Sequence, residues 1–484
     1  MNSLPPKARQ FCAHARWRCA RILLVVALLL AGLPLAAPSA RADEEHQGLQ
    51  AGWAIDDQGN VNFTSSFALQ NRYMHEAEAS WIRLNFRLGA CYQDWISRGC
   101  NGRTALETYD EVVSVALDHG FQVLGLVGHE AWPGDQAAWT AANAEHAGGS
   151  GDNPYLQHLS DDAVTVLATH YKDRIRAWEI WNEPNAWTEQ DEQGRPRGGS
   201  FIYPSNFAWV LTHAYEAIKQ VRPDAIVITG GLFGHDLGDP AVLFSRTPCP
   251  TGAPSGAEYL CATYEMGLTH AGWQPGRYPF DDIGQHIYID GGGPTTEEKL
   301  RFYLDDVRDA YLLYEGPDTQ KTTHITEFGW STKDMSDDVQ AHNLVTAFDT
   351  FRQVGFVTRA YWFHAQDVPE AGLFYGLMDS SGKKKRAFAA YQDVAAYESP
   401  GGQRERETAQ QVAANSRPGA RPAMVRPAIR LPASTAATTG PAPAPTAASP
   451  TPTPTPQPPA SAAPTDTTDI VLDAESDRTG GGSP

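Results

Sequence analysis

Short apolar and β-branched runs recur along the chain between longer amphipathic ones. The runs predict strands at 51–55 (AGWAI), 80–86 (SWIRLNF), 121–127 (FQVLGLV), 175–181 (IRAWEIW), 225–231 (AIVITGG), 282–288 (DIGQHIY), 323–328 (THITEF) and 358–363 (TRAYWF). Between them, apolar positions spaced three and four apart predict helices, among them Asp161–Lys172, Phe207–Val221, Glu297–Tyr314 and Val339–Val354. Strand and helix alternating eight times is the signature of a closed parallel α/β barrel, the (β/α)8 or TIM barrel. An open doubly wound sheet is the rival. It calls for a Gly-rich phosphate turn after the first strand, and DDQGNVNF after Ile55 supplies none.

The ends of the chain fall outside this pattern. Residues 1–42 hold Lys7, Arg9, Arg16, Arg18 and Arg21, then the apolar run Ile22–Ala31 and an Ala40-Arg41-Ala42 cleavage site, which together predict a secretory signal peptide; an uncleaved anchor is the alternative. From Gly401 to Pro484 there is no Phe, Tyr or Trp, and Pro-Thr repeats dominate. Such a segment cannot bury enough apolar surface to offset its ordering entropy, so residues 399–484 are expected to form a disordered Pro/Ala/Thr-rich tail. Residues 43–398 are left as the barrel.

Charge narrows the partners. The 484-residue chain carries a net charge of −19, and loss of the leader, with its six Lys/Arg and no acidic residue, takes this to −25. Nucleic acid and anionic membrane surfaces need basic patches and are disfavoured. After removal of Cys12 and Cys19 with the leader, four cysteines remain for an exported, monomeric protein. Cys91 and Cys100 are nine apart and Cys249 and Cys261 twelve apart, in loop-like stretches, so two local disulfides are expected. No C-x-x-C spacing supports zinc instead.

Active groups of such barrels sit where strands end and βα loops begin. The stretches 128–160, 183–206 and 232–258 are long, which predicts one decorated mouth. WNEPN after strand four places Glu183 there, and ITEFGWS ends strand seven with Glu327, 144 residues later. Strands four and seven are three apart around an eight-strand ring, so the two carboxylates can share a cleft. Two such groups cannot both ionise easily, and a proton-holding acid beside an ionised carboxylate is the equipment for cleaving a glycosidic bond.

WNEPN with ITEFGWS resembles the clan A glycoside hydrolases, the (β/α)8 enzymes that include family 5 cellulases and mannanases and family 39 xylosidases. The resemblance implies that Glu183 is the acid/base and Glu327 the nucleophile of a retaining reaction on a β-linked poly- or oligosaccharide, with no metal or cofactor. It further implies that Asn182 binds the sugar 2-hydroxyl, Arg83 keeps the nucleophile ionised, Tyr288 donates to it, His286 faces the cleft, Trp362 floors the reacting sugar, and His129 contacts substrate. Arg83 has a structural alternative, an ion pair with Glu179 inside the barrel. Trp330, together with Trp132, Trp187 and Tyr375, lies on βα loops where rings either stack on sugars or pack a loop down; Trp178 and Trp53 read as core. An inactive carbohydrate-binding barrel and a Mg²⁺-dependent mouth are the competing functions.

Overall fold

The computed structural model describes residues 47–50, 67–89, 91–132, 154–190, 192, 196–234, 256–289 and 292–398. The chain divides into two units, residues 1–403 and 404–484, and all described residues belong to the first. The leader, residues 51–55 with Trp53, and the Pro-Thr tail lie outside the described residues. No helix among those described is long and apolar enough to cross a membrane.

Eight parallel strands form the sheet: β1 (Gln47–Gln50), β2 (Trp81–Asn85), β3 (Gln122–Val127), β4 (Ala177–Asn182), β5 (Ile226–Gly231), β6 (Ile283–Ile287), β7 (Thr323–Phe328) and β8 (Val357–Trp362). Their order, β5-β4-β3-β2-β1-β8-β7-β6, is that of a barrel opened at one seam. The β5–β6 seam is stitched by isolated bridges, Ile228 to Asp282 and Leu232 to Gln285, with His286 N donating to Leu232 O at 2.9 Å. The fold is a (β/α)8 barrel. One boundary differs from expectation: β1 begins at Gln47, upstream of the predicted apolar run. Its inward position is Gly48, which a hydrophobicity pattern does not flag, and a Cβ there would come within 2.4 Å of the Tyr361 ring.

A helix follows each strand: α1 (Phe67–Glu76), α2 (Ala105–Asp118), α3 (Pro154–His158, continuing through a π turn, Leu159–Val164, into Thr165–Tyr171), α4 (Pro204–Val221), α5 (Ala257–His270), α6 (Glu297–Glu315), α7 (Asp337–Val354) and α8 (Arg386–Glu398). Local chemistry sets their ends. Thr104 and Glu107 form a reciprocal capping box on α2, Pro204 opens α4, Thr296 and Ser336 cap α6 and α7, and Gly355 ends α7 in the left-handed region.

Two apolar layers result from the two faces of the strands. Inside the barrel, Trp81, Leu124, Ala177, Ile226, Ile228 and Tyr361 make a plug toward its lower end, and the Arg359 guanidinium lies 4.0 Å over the Trp81 ring. Outside, a larger layer joins strands to helices. Phe328 of β7 packs edge-on against Phe348 and Phe351 of α7 and Trp362 of β8, at 5.2–5.3 Å between ring centres. Trp178 belongs to this outer layer, as expected of a core residue.

Phe328→Ala should lower the unfolding free energy by about 3–5 kcal/mol, the range for emptying a buried aromatic site. Urea titration would measure it, and a loss below about 1 kcal/mol would be incompatible with the packing described.

Candidate active site

The plug defines which side chains look into the barrel. On β2 these are Trp81, then Arg83, then Asn85; on β4, Ala177 and Glu179; on β8, Arg359 and Tyr361, then Phe363 just beyond the strand. Arg83 thus enters the barrel at the level where the plug ends. Its guanidinium is buried and engaged through each of its three nitrogens: Nε donates to Glu179 Oε2 at 2.5 Å, Nη2 to Asn182 Oδ1 at 2.8 Å, and Nη1 to Glu327 Oε1. Arg83 therefore contacts Glu179 and Glu327 at once. Burial would lower its pKa, but Glu179 and Glu327 outweigh that and raise it, so the cation persists.

Glu327 reaches Arg83 only because β7 is irregular. With His324 and Thr326 facing inward, strict alternation would turn the next residue outward. Both neighbours record the departure: β6 pairs Gln285 with Ile325 but His286 with Glu327, and β8 pairs Ala360 with Ile325 but Trp362 with Phe328. The extra residue re-aims Glu327 into the mouth, a common use of a β-bulge beside a site. There Tyr288 donates to its Oε2 at 2.7 Å. Burial alone would raise the Glu327 carboxyl; His286, Arg83 and the Tyr288 hydroxyl outweigh it and hold the group below the usual carboxylate range. Burial and the two nearby carboxylates push Tyr288 well up, so it stays a neutral donor.

The end of β4 is distorted in a different way. Trp181 and Glu183 both have left-handed backbones, φ 79° and 45°, which for residues with a Cβ costs on the order of 1–3 kcal/mol each. Their surroundings fix them. The Trp181 indole donates to Ser200 O at 2.7 Å, Ser200 Oγ donates to Glu183 O at 2.9 Å, and the Asn185 amide exchanges two bonds with the Phe233 backbone. The outcome is that Asn182 turns toward Arg83 while Glu183 turns to His286, whose Nδ1 lies 2.8 Å from its Oε1. His286 needs the missing side chain opposite it: a Cβ at Gly231 would fall 2.1 Å from its Nε2. Glu327 and Glu183 raise the His286 pKa against the effect of burial.

Glu183, His286 and Glu327 each offer one ligand atom, and these lie within 4.8 Å of one another. That is also the make-up of a metal-ligand set. Both Glu327 oxygens are already engaged by Arg83 and Tyr288, however, and a guanidinium in contact opposes a dication.

Glu183, Glu327, Asn182, Arg83, His286 and Tyr288 therefore converge. His129 is half-buried against Trp181, 5.5 Å between rings, and burial lowers its pKa. The two tryptophans assigned to substrate are elsewhere. Trp362 is fully buried in the outer layer against Phe328, with Trp330, 2% exposed, behind it. Alternation explains the error: Tyr361 faces inward, so Trp362 must face out and the next inward ring is Phe363. That ring is half-buried 6.1 Å from Tyr288 and 5.6 Å from Tyr375, and Tyr375 stands 5.8 Å from Tyr288. Trp132 and Trp187 are partly buried against the core. Two polar residues missed by motif reading, Asn85 and Glu130, stand at the ends of β2 and β3; counting two from Arg83 would have found the first. The pairing of Cys91, Cys100, Cys249 and Cys261 involves Cys249 and the Cys100 side chain, outside the described residues.

The lowered pKa of Glu327 has a definite sign in stability. A carboxylate held below its unfolded value stabilises the fold in full above the ordinary Glu range and loses that contribution as pH falls through its native value. The stability of the native chain relative to Glu327→Gln should therefore decline from neutral to acidic pH, as urea titrations would show. A difference that grows in acid would contradict the described ionisation.

No family model matches the chain, and no curated protein matches it. Solved structures do. A glucosidase from Croceicoccus marinus superposes with a TM-score of 0.50 at 14% identity, over 73% of this chain and 68% of that one. A family 39 glycoside hydrolase from Bacteroides cellulosilyticus WH2 (TM-score 0.45, 16% identity, 73% of this chain) and an exo-β-1,4-mannosidase from Opitutaceae bacterium strain TAV5 (0.47, 15%, 75%) are also similar. The chain spans 64% and 60% of the length of these last two. At such identities the likeness speaks for the (β/α)8 architecture alone.

Proposed function

We propose that the protein is an exported, monomeric retaining glycoside hydrolase that cleaves O-glycosidic bonds of a β-linked poly- or oligosaccharide. The observation that carries this reading is the separation of its two carboxylates. Glu183 and Glu327 present oxygens within 4.8 Å of each other. Retaining glycosidases need about 5–5.5 Å between carboxyl groups, whereas inverting ones need about 6.5–9.5 Å to admit a water.

Each group is equipped for one role. Glu327, held ionised by Arg83, His286 and Tyr288, attacks the anomeric carbon, and the bond to the leaving oxygen breaks as Glu183 gives that oxygen its proton. Glu183, now a carboxylate, takes a proton from water, whose oxygen attacks the same carbon and releases Glu327 unchanged. The Asn182 amide, fixed through its oxygen by Arg83, keeps its N–H groups for the 2-hydroxyl, where a bond strengthens as positive charge develops on the ring. Phe363 and Tyr375 offer apolar rings to sugar faces beside Tyr288. The expected disulfides belong to the same reading, since bridged cysteines suit an oxidising compartment.

Screening β-glucans, mannans and xylans for reducing ends should reveal turnover that Glu327→Ala and Glu183→Ala each reduce by several orders of magnitude. Azide should rescue both, giving a glycosyl azide of inverted configuration with Glu327→Ala and of retained configuration with Glu183→Ala. Full activity in either variant would remove its proposed role. Treatment with chelator should leave the rate unchanged, and a rate restored only by added Mg²⁺ would favour the metal-dependent alternative.

A further inference from the structure

Above Arg83 on the inward face of β2 stands Asn85, two residues nearer the open end and so about 7 Å higher. Its Nδ2 donates to Glu130 Oε2 at 2.5 Å. Glu130 sits in the short 3-10 turn His129–Ala131 that follows β3, and this turn is fastened from both sides. Leu88 N donates to Glu130 O at 2.8 Å, and the buried Trp95 indole donates to Ala131 O at 2.9 Å. Gly128, just before the turn, abuts β4, since a Cβ there would stand 3.5 Å from Asn182 N. The turn that carries Glu130 thus lies between the ends of β2 and β4, with its carboxylate bonded to β2. β2 and β6 are diametrically opposed in an eight-strand ring, so Asn85 stands across the mouth from His286, while the Glu130 turn neighbours β4.

The hydrogen bonding of this corner is incomplete in a way that a structural tie does not require. Among the described residues, Asn85 is the hydrogen-bond partner of the Glu130 carboxylate and no cation pairs with it. Asn85 Oδ1 and His129 Nδ1 are buried without a partner among those residues. Burying unmet polar atoms is costly unless something satisfies them. The second oxygen of the Glu130 carboxylate and the unmet Asn85 amide oxygen give this corner two acceptors for neighbouring O–H donors.

We propose that Asn85 and Glu130 form a hydroxyl-recognition site that grips vicinal hydroxyls of the glycone, on the part remote from the cleaved bond, and so determine which saccharide is accepted. This rests on the glycosidase reading. The anomeric carbon lies between Glu183 and Glu327, and a ring extending from it toward β2 and β3 brings its far hydroxyls, or those of the next unit, over this pair.

The test uses the full chain with Glu327→Gln blocking turnover, and calorimetric titration with the β-1,4-linked tetraoses of glucose, mannose and xylose. The tetraose that binds should lose about tenfold or more in affinity on adding Glu130→Ala or Asn85→Ala, as expected for a hydrogen bond to a charged acceptor. Glu130→Gln, which keeps the bond to Asn85 and hence the turn, should lose affinity with little change in melting temperature. Tetraose affinity within twofold of the parent in Glu130→Ala and Glu130→Gln alike would overturn the proposal and leave the glycosidase reading standing. A folded Glu327→Gln chain that binds none of the three would overturn both.

Discussion

A single buried cation organises the mouth of this barrel. Arg83 draws Glu179 and Asn182 from β4 and Glu327 from β7 to one point, with its side chain 1% and that of Glu179 0% exposed. An ion taken out of water is tolerated only when paired and hydrogen-bonded throughout, and removing one partner of a buried set typically costs about 3–5 kcal/mol. Glu179 neutralises part of the Arg83 charge and accepts from Gly231 N at 2.9 Å, tying β4 to β5. The arrangement sets both where Glu327 stands and that it is ionised.

The second constraint is backbone distortion. A regular β7 would aim Glu327 at the outer layer among Phe328 and Trp362, and a regular β4 would send Asn182 the same way. The bulge in β7 and the left-handed Trp181 and Glu183 undo that alternation, so that Glu327 and Asn182 both turn inward. Such conformations persist where neighbours over-determine them. Here the determinants are the Trp181–Ser200–Glu183 bonds on one strand and Arg83 with Tyr288 on the other.

The mouth divides by chemistry. Its β2–β4 wall is polar, made of Asn85, His129, Glu130 and Asn182, whereas the β6–β8 wall is aromatic, made of Tyr288, Phe363 and Tyr375. Polyhydroxylated rings have both kinds of surface, hydroxyl edges and CH faces, so opposed polar and aromatic walls match them. The Tyr375 side is steadied by a buried Lys385–Asp367 pair, in which Lys385 also donates to Thr332 Oγ1 and Phe374 O and so joins the loops after β7 and β8.

The sequence by itself determined the eightfold alternation, the strand ends on which Glu183 and Glu327 lie, and the companions Asn182, Arg83, His286 and Tyr288, because period-two and period-3.6 patterns and short motifs are local properties. It also carried the information that β8 turns Tyr361 and Phe363 to one side and Trp362 to the other, although motif resemblance drew attention to the tryptophan instead. Only the tertiary structure decided that Arg83 serves Glu179 and Glu327 together, that β7 bulges, and that Asn85 meets Glu130. These depend on the register between strands distant in sequence and on backbone departures that a neighbour's contacts hold in place, and neither is written in any one stretch of residues.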